Sequence, residues 1–168
     1  YSSINNFDNE VEILQSRTLI KKVVEELDLY ISYAAKSSFH DIELYKSSPV
    51  KVWITPEEAQ KLPAPAYINL TLQPSNKLNV KITIGEQEYS KQFDKLPALL
   101  TTPSGTFSFT PADSTIAKSE QKIMATVSSP RSVAGSYRGA LSIEPTSKST
   151  TIAQISVKST HTQRGMDF

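Results

Sequence analysis

Apolar and polar residues alternate with a period of two along most of the chain from Leu29 onward, and this alternation constrains the fold more than any other feature. It is typical of strands that bury one face and expose the other. It predicts about eight or nine short strands, of which residues 68–72 and 78–84 show it most strictly. Gly85 and Glu86 follow the second of these strands and predict a hairpin turn. The sequence therefore predicts a mixed, largely antiparallel sheet.

An amphipathic helix precedes the strands. Over residues 9–27, apolar side chains recur at helical spacing, and charged residues occupy most of the other positions. Asn9 is suited to cap this helix, and Glu12 three residues later completes a capping-box pattern. The apolar stripe predicts that the helix packs one face on the sheet.

Two shorter helices are predicted between strands. Thr55 can cap a helix that has Pro56 at its first position, and a helix that starts at Ser129 is expected to end near Gly139. One amphipathic helix followed by a largely antiparallel sheet with short helical insertions is an α+β fold. We expect residues 1–168 to form a single domain.

Composition excludes several function classes. Without cysteine the chain has no disulfide, thiolate metal site or cysteine nucleophile. A formal net charge of +1 gives no electrostatic reason to expect a nucleic-acid partner. The five glycines form no phosphate-binding loop, and the two histidines leave little for a metal site. We therefore expect no catalytic residue, no cofactor and no metal in this chain, and no enzyme activity.

Arg17 and a set of aromatic residues are suited to binding. Arg17 falls between Ile13 and Ile20 in the apolar stripe. Its guanidinium either snorkels over the edge of the core or pairs with oxygens of the sheet or of a neighbouring subunit. Five aromatic residues would form a sugar-stacking platform if they converged, and otherwise belong to the core and its rim. They are Tyr30, Tyr33, Trp53, Tyr67 and Tyr137.

Two segments resemble a known family. Residues 9–27 read NEVEILQSRTLIKKVVEEL, which resembles the first external helix of the Wzz-type chain-length determinants, in particular of the membrane-anchored tyrosine autokinases of the Wzc type. Residues 142–145, SIEP, and residues 152–159, IAQISVKS, resemble the closing strands of the same family. The first motif is the longer and more specific one, and the middle of the chain matches weakly.

The resemblance implies a Wzz-like base domain at the periplasmic face of the bacterial inner membrane. Such a domain is a non-catalytic oligomerisation and regulatory part of a polysaccharide co-polymerase. It helps to control the chain length, assembly or export of capsular polysaccharide, exopolysaccharide or O-antigen. The autokinase branch adds a cytoplasmic tyrosine kinase that this sequence does not include. Since the chain begins at Tyr1 rather than Met, we expect a fragment of a longer protein that is anchored by flanking membrane segments.

The implied partners are further copies of the chain in a ring, the polymerase and export machinery, and the polysaccharide itself. Glu10, Glu12 and Arg17 are the candidate oligomer interface, because we expect the polar side of the first helix to meet the neighbouring protomer. The alternative function is that of a secreted β-rich carbohydrate-binding or adhesin-like module. It requires the aromatic residues to converge on one face, whereas the co-polymerase function requires membrane segments on both sides of this chain in its gene.

Overall fold

A computed structural model of the protein describes residues 6–9, 12, 17–36, 41–44, 46–112, 118–145 and 153–157. Contacts between residues group the chain into two compact units. We call residues 30–129 the β unit, and the described parts of residues 1–29 and 130–168 the terminal unit. The single domain expected over residues 1–168 stays a prediction.

Nine strands form the β unit: β1 (Ile31–Lys36), β2 (Asp41–Glu43), β3 (Val50–Trp53), β4 (Ala66–Leu72), β5 (Leu78–Ile84), β6 (Gln87–Phe93), β7 (Ala98–Thr102), β8 (Gly105–Pro111) and β9 (Gln121–Val127). The larger sheet has the order β2-β1-β9-β4-β5-β6, and the smaller sheet has the order β3-β8-β7. Every pairing is antiparallel. The first and last long strands are neighbours, since Ile31 lies opposite Val127. The chain therefore enters and leaves the β unit through adjacent strands.

Register brings the predicted apolar rows of the larger sheet together. Ile68 lies opposite both Ile82 and Ala125, and all three side chains are buried. The next opposed pair, Asn69 and Lys81, belongs to the other face, where Asn69 is half-buried and Lys81 is exposed. Each buried aliphatic side chain contributes roughly 1.5–3 kcal/mol before entropy is counted. A slip by one residue would move the whole apolar set to the polar face, so the pattern fixes the register.

The two sheets of the β unit meet through aromatic side chains. The rings of Phe93 on β6 and Phe109 on β8 have centroids 6.0 Å apart. Phe107 and Phe109 are fully buried. The core of the β unit therefore lies between the two sheets.

Three hydroxyl groups bind the backbone of every second residue along the outer edge of β3. Ser48 Oγ donates to Val50 O at 2.6 Å. Tyr33 Oη accepts from Val52 N–H at 2.9 Å and donates to Val52 O at 3.1 Å. Tyr30 Oη donates to Ile54 O at 2.7 Å. An outer strand presents backbone groups that would otherwise pair with another chain. These side chains therefore close the edge of the smaller sheet.

A short helix, α2 (Pro56–Lys61), follows β3, and a 3-10 turn (Pro74–Asn76) joins β4 to β5. Thr55 caps α2 by accepting a hydrogen bond from Glu58 N–H at 3.2 Å, with Pro56 at the first position. The predicted start of this helix is confirmed.

The described part of the terminal unit includes two helices with defined bounds and a pair of strands, and residues 6–9 are helical as well. The elements with defined bounds are α1 (Arg17–Glu26), α3 (Pro130–Ala140), β10 (Leu141–Pro145) and β11 (Ala153–Val157). α1 packs against α3, and Ile20 and Val24 of α1 are buried, as is Ala134 of α3. β10 and β11 are antiparallel, with Ile143 opposite Ile155. Residues 17–26 confirm the second half of the helix predicted over residues 9–27. Residues 13–16 lie outside the described part of the chain.

The predicted α+β class is wrong, because the protein is mostly β. Among the described residues strands outweigh helices, with a six-stranded and a three-stranded sheet, and the helices are short. Two strands were missed for physical reasons. β2 is three residues long, and its one apolar residue, Ile42, is 49% exposed. In β7 burial alternates along the strand, but apolar and polar residues do not alternate with it: Leu99 is exposed and Thr102 is buried.

Candidate functional site

The interface residues predicted from the sequence are only partly placed. Glu12 is helical and exposed, Arg17 is the first residue of α1, and Glu10 lies outside the described residues. Arg17 precedes the buried Ile20 by three residues and the buried Val24 by seven. The interface of Glu10, Glu12 and Arg17 stays a prediction.

A different face of α1 is exposed. Leu19 is 38% exposed, and Lys22 and Glu26, three and seven residues later, are exposed as well. Residues at this spacing share one side of a helix. We call Leu19, Lys22 and Glu26 the α1 outer face. It presents a partly exposed leucine beside two opposite charges.

Sequence reasoning missed the α1 outer face because it assigned the interface to charged residues in the first half of the helix, Glu10, Glu12 and Arg17. A signal was present: Leu19 is a large apolar residue that lies off the apolar stripe. The neighbouring ion pair of Lys21 Nζ and Glu25 Oε1, at 3.3 Å, connects two half-buried side chains one helical turn apart. Such a pair contributes about 0.3–0.5 kcal/mol, so it supports the helix rather than recognition.

The four residues of the predicted sugar-stacking platform that belong to the β unit do not converge. The hydroxyls of Tyr30 and Tyr33 are bound to the backbone at the outer edge of the smaller sheet. Tyr67 is 48% exposed on the polar face of the larger sheet, and Trp53 is 45% exposed on the smaller sheet. Tyr137 belongs to α3 of the terminal unit. The arrangement that the alternative function required is therefore not formed.

The polar face of the larger sheet holds an open depression of about 520 Å³. Amide, hydroxyl and ammonium groups of β4, β5 and β6 line it, among them Asn69, Asn79 and Gln92. Lys81 Nζ lies 3.3 Å from Glu88 Oε1, and both side chains are about half exposed. This depression offers hydrogen bonds and one neutralised ion pair, with no large apolar side chain.

The outer face of the smaller sheet combines apolar and hydroxyl side chains. Trp53 and Leu99 both lie opposite Ser108, which belongs to the strand between theirs. Trp53 is 45% exposed and Leu99 is 62% exposed. Ser108 Oγ donates to the backbone oxygen of Trp53 at 3.3 Å. We call Trp53, Ser108 and Leu99 the Trp53 face; sequence reasoning found its tryptophan but not Leu99, which only the pairing of β7 with β8 brings there.

Neither a metal centre nor a membrane span is found in the described part of the chain. Its Asp and Glu side chains form no group of three or more that could hold a metal ion, and both histidines lie outside the described residues. Among the same residues, none of the helices has the length and apolar character needed to cross a bilayer.

Two comparisons with known proteins bear on the family. No protein-family model matches the sequence, and no curated protein matches it. The resemblance to the Wzz-type proteins therefore depends on the motifs in residues 9–27, 142–145 and 152–159.

Proposed function

We propose that this chain is a non-catalytic oligomerisation and regulatory domain of a polysaccharide co-polymerase of the Wzz and Wzc type. In this proposal the chain lies at the periplasmic face of the bacterial inner membrane, in a protein that flanking segments anchor and that carries a cytoplasmic tyrosine autokinase. Its role is to control the length, assembly or export of capsular polysaccharide, exopolysaccharide or O-antigen. Its partners are further copies of itself in a ring and the polymerase and export machinery.

One observation carries the proposal: the segments that resemble the family belong to the same compact unit. They lie at opposite ends of the sequence, in residues 9–27 and in residues 142–145 and 152–159, yet the terminal unit includes the described parts of all three. Within it α1 packs against α3, and α3 leads directly into β10. The weakly matching middle of the chain is the β unit. A family pattern interrupted by an inserted β unit explains both the strong and the weak parts of the resemblance.

The α1 outer face is the surface that we assign to ring contacts. A closed ring requires a heterologous interface, in which this face meets a different surface on the next protomer. Leu19 supplies apolar area, and Lys22 and Glu26 supply opposite charges that fix orientation. Membrane anchoring raises the effective concentration of the protomers, so that a modest contact suffices.

The test is Leu19→Glu in the full-length membrane protein. We expect fewer rings in chemical cross-linking and native mass analysis, and an altered length distribution of the polysaccharide on gels, because a charge replaces the apolar centre of the contact. The melting temperature of the 168-residue chain should change little, since Leu19 is already partly solvated.

Two further variants serve as a control and as a test of the alternative interface. Ser136→Glu places the same charge at an exposed position of α3 and should leave rings and polysaccharide length unchanged. Arg17→Glu examines the interface that the sequence predicts. Normal rings and normal polysaccharide in both Leu19→Glu and Arg17→Glu would refute an interface role for α1.

The gene that encodes the chain gives an independent test. The proposal requires an apolar stretch of about twenty residues on each side of this chain, and a phosphate-binding loop beyond the second stretch for the autokinase branch. A secretory signal without a second membrane span would refute the co-polymerase proposal and favour the secreted carbohydrate-binding module.

A further inference from the structure

We propose that the Trp53 face is a docking surface for an acidic polysaccharide. The proposed function supplies the reason why a polysaccharide would be near this chain, so the inference rests on it in that respect. The apolar, hydroxyl and charged side chains that favour such a polymer all belong to the outer face of the smaller sheet.

The geometry of the Trp53 face is that of a trough. Neighbouring strands lie about 4.8 Å apart, so Trp53 and Leu99, with β8 between them, stand roughly 10 Å apart on the same face. The side chain between them is the small Ser108. Two large apolar side chains therefore flank a short polar one on this face, and the proposal places the sugar rings between them.

The side chains around the trough match the two kinds of surface on a pyranose ring. An indole and a leucine offer apolar contact to the C–H face of a sugar, as in sites that combine apolar walls with a few polar groups. Ser108, Thr106 and Thr110 follow one another on this side of β8 and supply hydroxyls toward the sugar's rim. A serine hydroxyl that donates to a backbone oxygen, as Ser108 does, keeps lone pairs that can accept from a sugar hydroxyl.

The size of the apolar area favours a polysaccharide over a protein partner. With aromatic side chains of 150–250 Å², the exposed parts of Trp53 and Leu99 together amount to on the order of 200 Å². A stable protein interface buries about 800 Å² on each partner. The Trp53 face provides only a fraction of that area, whereas a few sugar rings need no more.

Charge makes the expected polymer acidic. Lys51 lies two residues before Trp53 on β3, is exposed, and occupies the same face. None of the three strands of the smaller sheet contains an aspartate or glutamate. A carboxylate-bearing sugar on the trough would meet one ammonium group and no repelling carboxylate from these strands. The depression on the larger sheet differs, because no large apolar side chain lines it.

Trp53 is the single tryptophan of the chain, so intrinsic fluorescence of the 168-residue protein reports directly on this face. The probes are two uronate polymers, alginate and hyaluronan, and the neutral polymer dextran. We expect a saturable change in emission with at least one uronate polymer and weaker binding of dextran. No saturable change with either uronate polymer, up to millimolar sugar units, would overturn the proposal.

Variants locate the binding. Leu99→Ser keeps the fluorescent reporter and should weaken uronate binding at least fivefold, and Lys51→Gln should remove the preference for uronate over dextran. Tyr67→Ala alters an aromatic residue of similar exposure on the other sheet and should leave binding unchanged. Thermal melts of each variant establish that it is folded. Unchanged binding in folded Leu99→Ser, or an equal loss in Tyr67→Ala, would place the contact elsewhere and refute the proposal.

The two proposals fail separately. If uronate polymers do not bind but Leu19→Glu disrupts rings, only the docking surface is refuted. If uronate polymers bind the Trp53 face and the gene shows a secretory signal without a second membrane span, the docking surface stands and the co-polymerase function is refuted.

Discussion

Replacing Tyr33 with phenylalanine tests whether side-chain hydroxyls hold the edge of the smaller sheet. The substitution removes one oxygen atom and keeps the ring. That oxygen accepts from Val52 N–H at 2.9 Å and donates to Val52 O at 3.1 Å, so a single change removes two hydrogen bonds to β3. The backbone groups of Val52 then face the position that the hydroxyl occupied.

The magnitude follows from the number of bonds and their burial. A typical hydrogen bond contributes about 0.5–1.5 kcal/mol net, and a buried group left unsatisfied costs about 1–3 kcal/mol. These two bonds are only partly buried, so water can replace some of what is lost. We therefore expect the free energy of unfolding to fall by about 2 kcal/mol, which corresponds to a melting temperature lower by about 4–8 °C for a chain of this length.

The assay is thermal and urea denaturation of the 168-residue chain, together with light scattering. Exposed backbone groups on an outer strand promote pairing between molecules, so we also expect more self-association in Tyr33→Phe. Tyr67→Phe removes the hydroxyl of an exposed tyrosine and should change stability by less than about 0.5 kcal/mol. If Tyr33→Phe and Tyr67→Phe both melt within 1 °C, roughly, of the unmodified chain, the hydroxyls do not hold this edge and the reasoning is refuted.

Two other predictions concern the β unit. Gly105 has φ +154°, and a Cβ there would lie 2.9 Å from Ile54 Cδ1, so Gly105→Ala should cost about 1–3 kcal/mol in urea unfolding. A cost within experimental error would show that the turn shifts freely. Residues 30–129 enter and leave through neighbouring strands and carry their own core, so this fragment should fold alone and melt cooperatively by circular dichroism. A fragment without a cooperative transition would show that the β unit depends on the rest of the chain.

Local patterns in the sequence determined the elements whose chemistry and burial agree. The alternation in β4 and β5 predicted their buried rows, and the Thr55-Pro56 pair predicted the start of α2. The reason is that a strand period or a helix cap depends on residues a few positions apart, which the chain brings together by itself. The apolar stripe likewise predicted the described half of the first helix, including the buried Ile20 and Val24.

The candidate sites could be predicted only in part. Trp53 is conspicuous in the sequence as a single tryptophan on an alternating strand. Nothing near it in sequence points to Leu99, because the two residues meet only through the pairing of both β3 and β7 with β8. The exposure of Leu19 also depends on tertiary packing, because it is set by which side of α1 packs against α3.

The sequence by itself determined where most of the described strands and helices form, because those choices depend on the period of apolar side chains along the chain; β2 and β7, where that period is absent, are the exceptions. Only the tertiary structure decided the class of the fold, the order of strands in two sheets and the grouping of both chain ends into one unit. Strand order depends on which distant apolar faces bury the most area together. The free energy gained by that burial belongs to pairs of segments, so no single segment of the sequence specifies it. The exposed Leu99 and the buried Thr102 show the consequence, since neither residue's chemistry foretells its place in the sheet.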